Sequence, residues 1–177
     1  MSYLLPTSTR WVSASWQDHR DRTPPSSEPG TDYGVAYGLP VYAVDAGSVT
    51  YVKTSNSGAM GRVVEYRLDD GRDTRTLHLA SVGVSVGQRI ARGQTIGISG
   101  ASGYGSDWYY GPHAHQTLWP GRAWEAAPID FELYTGDDDD MPLTDDDIKR
   151  IWNYQIQPQD ENGNALGQRL GRHLDVP

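Results

Sequence analysis

Short apolar runs with a period of two residues alternate with glycine-rich turns through most of the chain. This pattern is typical of an all-β domain, because successive side chains of a strand point to opposite faces. The Asp-Gly pair at 70–71 also predicts a tight hairpin between two of the strands. We expect a mainly β fold, an antiparallel and sandwich-like domain. The predicted strands are 39–44, 48–53, 62–68, 72–79, 84–86, 94–98 and 113–119.

The composition changes sharply at Gly136, where four consecutive aspartates begin. Adjacent like charges repel and stay solvated, so this segment is predicted to be a linker. After it, Thr144 can cap a short helix whose first turn is acidic, which suits the positive end of the helix dipole. Trp152 on that helix is expected to pack on the domain or on another protein. The predicted organisation is a domain over 1–136, an acidic linker over 137–143, and a short helix with a polar tail over 144–177.

Composition and charge exclude several classes of function. The 177 residues include no cysteine, so a thiolate zinc site, a catalytic thiol and a disulfide framework are excluded. The net charge of −8 and the lack of a basic stripe argue against nucleic acid as a partner. The first residues do not resemble a signal peptide, and no apolar run approaches the ~20 residues of a spanning helix. We therefore expect a protein made in the cytoplasm without membrane insertion.

Two of the five histidines, His113 and His115, stand one residue apart in a predicted strand. Residues i and i+2 of a strand share a face, so the two imidazoles can bind a metal, move protons, or do one of each. A hydrolytic zinc centre needs about three protein ligands and a nearby acid-base group. Asp32, His115 and one further residue could be the ligands. His78 and His113 would then form the acid-base pair.

The order of six short motifs resembles the lysostaphin and LytM family of zinc peptidoglycan endopeptidases. The resemblance covers roughly residues 20–135 and implies a β metallopeptidase fold with a substrate groove. It also implies that Asp32 and His115 bind one zinc ion, while His78 and His113 are catalytic and assist the water and the oxyanion. The motifs are 30–32, 38–43, 46–49, 77–79, 86–88 with 93–97, and 111–115.

This chain departs from the family at the first ligand, because Glu28 stands where the family has histidine, four residues before Asp32. Glu28 is predicted to be the third metal ligand; a surface carboxylate beside an incomplete site and a base for the water remain alternatives. Two carboxylates would make the centre less positive and its catalysis weaker, and would leave manganese open as the metal. His19 could supply the missing imidazole. It lies nine residues upstream, beyond Pro24 and Pro25, and we do not assign it to the site.

The predicted function is metal-dependent hydrolysis of peptide bonds in bacterial peptidoglycan. A wall hydrolase without an export signal resembles the lysins of actinobacterial phages, which reach the wall by holin release or as virion components. The C-terminal helix could then serve virion association or self-association. The alternative is a non-catalytic wall-binding or structural virion protein that keeps the fold but has lost the metal.

Overall fold

The structure is a computed structural model that describes residues 2–136. Within this range the chain forms ten strands, one short α-helix and one 3₁₀ helix. The helix α1 spans Trp16–Asp21, and the 3₁₀ helix spans Phe131–Tyr134. The strands are β1 (Val12–Ala14), β2 (Thr31–Gly34), β3 (Pro40–Tyr42), β4 (Gly47–Lys53), β5 (Arg62–Leu68), β6 (Asp73–Leu79), β7 (Ser81–Val82), β8 (Arg89–Ile90), β9 (Thr95–Ile98) and β10 (His113–Leu118).

The strands form two sheets. The larger sheet has the order β1-β2-β10-β6-β5-β4-β8, and the smaller one has the order β3-β9-β7. Every pair of neighbouring strands in both sheets is antiparallel. The predicted mainly β, antiparallel fold is therefore confirmed. The predicted linker, helix and tail over 137–177 lie outside the described residues.

The hairpin between β5 and β6 closes where the Asp-Gly pair predicted it. Leu68 donates a backbone hydrogen bond to Arg72 across the turn at 2.8 Å. Gly71 has a φ of 91°, in the left-handed region that glycine occupies without steric cost. The hairpin fixes the register of β6, which carries part of the site on its outer face.

One face of the larger sheet packs against the smaller sheet and forms the core. From β5 the core takes Val64, Tyr66 and Leu68, and from the smaller sheet it takes Val41 and Ile96. Since side chains alternate along a strand, the intervening residues of β5 and their neighbours on β6, β10 and β2 lie on the opposite face. That opposite face carries the polar and charged residues described below.

Two predictions about local structure were wrong or incomplete. Residues 84–86 do not form a strand, because pairing with β9 falls instead on Ser81–Val82. The helix α1 and the strands β1, β2 and β8 were not predicted; the strands have only two to four residues, too few for a clear period. Among residues 2–136, no helix combines the length and the apolar character that a membrane crossing requires.

Candidate metal and catalytic site

Strand pairing places an aspartate beside the histidine pair. His113 and His115 share the outer face of β10, and Asp32 of the neighbouring strand β2 lies directly opposite His115 in the register. His115 Nδ1 lies 2.7 Å from Asp32 Oδ1, while His113 Nε2 lies 3.6 Å from the same oxygen. The sheet alone therefore brings the Asp32 carboxylate to two imidazoles that lie more than 80 positions away from it in the sequence.

The helix α1 adds a third imidazole. It begins after Ser15, which forms a capping box with Asp18, and its buried residue is His19. His19 Nδ1 lies 2.9 Å from the carbonyl oxygen of Ser15, and Nε2 lies 3.3 Å from Asp32 Oδ2. The His19 ring also packs edge-on against His115, with 4.8 Å between the centroids. Both oxygens of Asp32 thus face imidazole nitrogens.

The electrostatics of this cluster centre on Asp32. Burial alone would raise the pKa of Asp32, but hydrogen bonds from His115 and His19 outweigh it and lower the pKa well below its usual range. Burial would lower the pKa of His19, yet the hydrogen bond and charge of Asp32 raise it. Asp32 is therefore ionised, and its negative charge faces the His19 and His115 rings.

The donor set fits a divalent cation. A carbonyl oxygen can only accept a hydrogen bond, so His19 Nδ1 must carry a proton. If the ring is neutral, its other nitrogen, Nε2, carries a lone pair, and that lone pair points at the Asp32 carboxylate. Two acceptors facing each other need a proton or a cation between them. The ligand atoms of His19, Asp32 and His115 lie within 4.8 Å of one another, and His115 Nε2 is buried without a hydrogen-bond partner. Two imidazoles and one carboxylate are typical zinc ligands.

Glu28 lies at the same cavity but its carboxylate is engaged elsewhere. Its Oε2 and Oε1 lie 3.2 and 3.4 Å from Nη1 of Arg75, in a buried ion pair. Burial raises the pKa of Glu28, against the opposing charges of Arg75 and His115. The group that the structure brings to Asp32 and His115 is therefore His19, which the sequence interpretation left unassigned. The structure thus places Glu28 against Arg75 and places His19 against Asp32 and His115.

His78 and His113 stand together beside this cluster. Their ring centroids are 4.7 Å apart, and the His78 ring lies 5.9 Å from that of His115. Burial, with the charges of His113 and His115, lowers the pKa of His78 to about 3. Burial also lowers the pKa of His113, despite the charge of Asp32. Both rings are accordingly neutral at neutral pH.

Backbone contacts orient the two rings in the same way. His78 Nδ1 lies 3.0 Å from the Ser102 carbonyl, and His113 Nδ1 lies 2.7 Å from the Gly111 carbonyl. Each Nδ1 must donate, so each neutral ring presents the lone pair of Nε2. His78 adopts a φ of 63°, which is uncommon for a residue other than glycine and is a feature often found at functional sites.

A continuous groove runs past these residues. One cavity of about 510 Å³ is lined by all five residues predicted for the site and by His19. A neighbouring, mostly apolar cavity of about 610 Å³ shares Asp32, Tyr110 and His113 with it and extends to Trp11 and Leu39. The Tyr110 ring packs 4.3 Å from His78, so an aromatic wall borders the histidine pair.

Comparison with protein-family models decides the family. Residues 26–128, more than half of the chain, match the model of peptidase family M23. The chain belongs to peptidase family M23. This confirms the resemblance to lysostaphin- and LytM-type peptidases that the motifs indicated.

Individual M23 relatives resemble parts of the chain. Peptidoglycan DD-endopeptidase ShyA of Vibrio cholerae is 35% identical over 117 residues, which are 64% of this chain and 26% of that protein. The M23 chain thus spans about a quarter of the length of this relative. A zinc-containing peptidase of V. cholerae superimposes with a TM-score of 0.59 at 26% identity, over 74% of this chain and 39% of that chain. The catalytic domain of Staphylococcus simulans lysostaphin gives a TM-score of 0.52 at 28% identity, over 59% and 76% of the two chains.

His19 is a candidate site residue that the sequence analysis considered but did not assign to the site. It lies upstream of the segment that matches the family model, which begins at residue 26. The signal that could have found it is the Ser15-x-x-Asp18 capping box, which predicts a helix start four residues before His19. The doubt about activity that rested on Glu28 loses its basis, because a His-Asp-His set is present.

Proposed function

We propose that this chain is a zinc-dependent endopeptidase that hydrolyses peptide bonds of peptidoglycan, with His19, Asp32 and His115 as the metal ligands. The observation that carries the proposal is the convergence of these three side chains beside two neutral histidines in one groove. A zinc ion held there would act as a Lewis acid and would lower the pKa of a bound water.

The charge of the ligand set supports catalysis by zinc. Two neutral imidazoles and one carboxylate leave one net positive charge on a divalent ion, whereas a set containing both Glu28 and Asp32 would leave none. A more positive centre polarises water and a substrate carbonyl more strongly. Two nitrogen ligands also favour zinc over manganese, which prefers oxygen-rich sites.

His78 and His113 are assigned proton transfer and stabilisation of the developing oxyanion. Their low pKa values keep both rings neutral, and their fixed Nδ1 hydrogen bonds leave Nε2 free to accept a proton. Once protonated, the same nitrogen can donate to an oxyanion or to the leaving amine. Asp32, 3.6 Å from His113 Nε2, stabilises the charged form of that ring.

The substrate proposal rests on the relatives and on the groove. ShyA and lysostaphin are a peptidoglycan DD-endopeptidase and an antimicrobial peptidase by their names, and the groove leads past the histidines into an apolar cavity. Such a groove suits an extended peptide with small uncharged side chains. The phage-lysin role, the holin or virion route to the wall and the association through the C-terminal helix stay predictions of the sequence. So does the alternative of a non-catalytic wall-binding protein.

The test compares two ligand candidates in the full chain. Zinc content and release of peptide ends from purified peptidoglycan are measured for the wild type, His19→Ala and Glu28→Gln. We expect about one zinc per chain in the wild type and in Glu28→Gln, and loss of zinc and cleavage in His19→Ala. Zinc retention by His19→Ala with loss in Glu28→Gln would reverse the ligand assignment. No zinc and no released peptide in the wild type would favour the non-catalytic alternative.

A further inference from the structure

Arg75 is a buried cation placed between two buried carboxylates. Its Nε lies 3.0 Å from Glu65 Oε2, and its Nη2 forms a second, shorter contact with the same oxygen. Its remaining nitrogen, Nη1, lies 3.2 Å from Glu28 Oε2. The three residues are only 5–9% exposed. One side of the guanidinium is thus committed to Glu65, and the other side holds Glu28.

Aromatic rings fix the position of this guanidinium. The Arg75 Cζ atom lies 5.2 Å from the Trp124 ring centroid, 5.4 Å from that of Trp119 and 5.9 Å from that of Tyr51. Rings at this distance attract a cation through their electron-rich faces. Together with the Glu65 contacts, they prevent Arg75 from following Glu28 if the carboxylate moves.

The segment that carries Glu28 runs directly along the metal site. A Cβ atom on Gly30 would lie 2.6 Å from His115 Nε2, so the backbone two residues after Glu28 already touches a proposed ligand. Glu28 and His115 also line the same cavity. A carboxylate is a competent zinc ligand, and this one lines the same cavity as His19, Asp32 and His115.

We propose that Arg75 is a positioning residue that holds the Glu28 carboxylate out of the metal site, so that the third ligand position belongs to His19. The inference rests on the function proposed above. A buried carboxylate needs a cation, and in this pocket the candidates are Arg75 and the metal. Because Arg75 supplies that charge, Glu28 stays off the metal and the site keeps a net positive charge.

A rescue experiment tests this role. Removing Arg75 also strands Glu65, so all variants carry Glu65→Gln to keep the freed charge on Glu28 alone. We compare zinc dissociation constants, measured by competition with a chromophoric chelator, for His19→Ala, His19→Ala/Arg75→Met and the latter with Glu28→Gln. Circular dichroism checks folding, and Arg75→Gln replaces Arg75→Met if the methionine variant is unfolded.

We expect His19→Ala to weaken zinc binding by about 100-fold or more. Adding Arg75→Met should restore at least about ten-fold of that loss, because the freed Glu28 becomes a ligand. Adding Glu28→Gln should remove the gain. Removal of the Arg75 charge can by itself strengthen zinc binding through reduced repulsion, so the dependence of the gain on Glu28 is the deciding readout.

The outcomes separate this inference from the proposed function. Equal zinc affinity with and without His19 would overturn the ligand set itself. Normal loss in His19→Ala, with no gain on removing Arg75, would overturn only the positioning role. A gain that persists after Glu28→Gln would also overturn it, since Glu28 would then not be the rescuing ligand.

Discussion

Two buried charged clusters lie side by side on the outer face of the larger sheet, and their charges are balanced by different groups. The Arg75 cluster consists of Arg75, Glu28 and Glu65. The Asp32 cluster consists of Asp32, His19, His113 and His115. In the Arg75 cluster, the cation is part of the chain and contacts both carboxylates. In the Asp32 cluster, one carboxylate faces three imidazoles, and His115 Nε2 is buried without a hydrogen-bond partner. The Arg75 cluster contains a cation supplied by the chain, whereas the Asp32 cluster places a carboxylate among imidazoles that can bind an external cation. A buried carboxylate that faces imidazoles, and not an arginine, is therefore the better candidate for a metal site.

The largest expected effect follows from breaking the Asp32 cluster at its centre. Asp32→Asn keeps the shape of the side chain but removes the charge that faces His19 and His115. We expect zinc affinity to fall by more than about 100-fold and peptide release from peptidoglycan to fall to background. Glu28→Gln is the matched control, because it neutralises a buried carboxylate of the other cluster. Equal zinc loss in both variants would erase the distinction between the clusters.

The Arg75 cluster should respond in stability. Arg75→Met leaves Glu28 and Glu65 buried without their cation, and breaking a buried ion pair in this way typically costs about 3–5 kcal/mol. Urea unfolding of the chelator-treated protein measures this loss without a contribution from zinc. Arg89→Met is the control, because the Arg89–Asp69 pair is solvent-exposed and its loss should not shift the unfolding midpoint. Similar midpoints for the two variants would show that the Arg75 cluster is not essential for the fold.

A smaller effect is expected when a residue next to the Asp32 cluster is changed without touching the ligands. His78→Gln retains a polar side chain but cannot exchange a proton near neutral pH. We expect turnover to fall by about 100-fold with zinc content unchanged, which is a common size for an acid-base contribution. Loss of zinc in this variant would instead make His78 a ligand.

The sequence predicted the central strands of the fold and named Asp32 and His115, two of the three residues that converge on the candidate metal site. Strands β4, β5 and β10 are long enough to show a clear period of two residues. His113 and His115 both lie in β10 and share one face of it, as their i, i+2 spacing predicted. Asp32 could be placed only by motif order, because its strand has four residues.

The rest depended on contacts between segments that are distant in sequence. His19 reaches Asp32 because α1 packs over β2, and no local pattern states where a six-residue helix docks. The ion pair between Glu28 and Arg75 also depends on a distant contact. The register of β6 places Arg75 beside Glu28, which lies 47 positions earlier in the sequence. A motif with one altered residue therefore predicted where the site lies, and the packing of α1 brought a further imidazole to it.

The smallest expected effect tests whether the helix that carries His19 contributes to the metal site. Ser15→Ala removes the hydroxyl that accepts from the Asp18 backbone N–H at 3.1 Å, but it keeps the carbonyl that orients His19. Because loss of an N-cap destabilises the first turn, zinc affinity should fall by about five-fold. Gln17→Ala, at an exposed position of the same helix, should leave the affinity unchanged. An unchanged affinity in Ser15→Ala would mean that the contacts of His19 with Asp32 and His115, and not the helix cap, hold its imidazole in place.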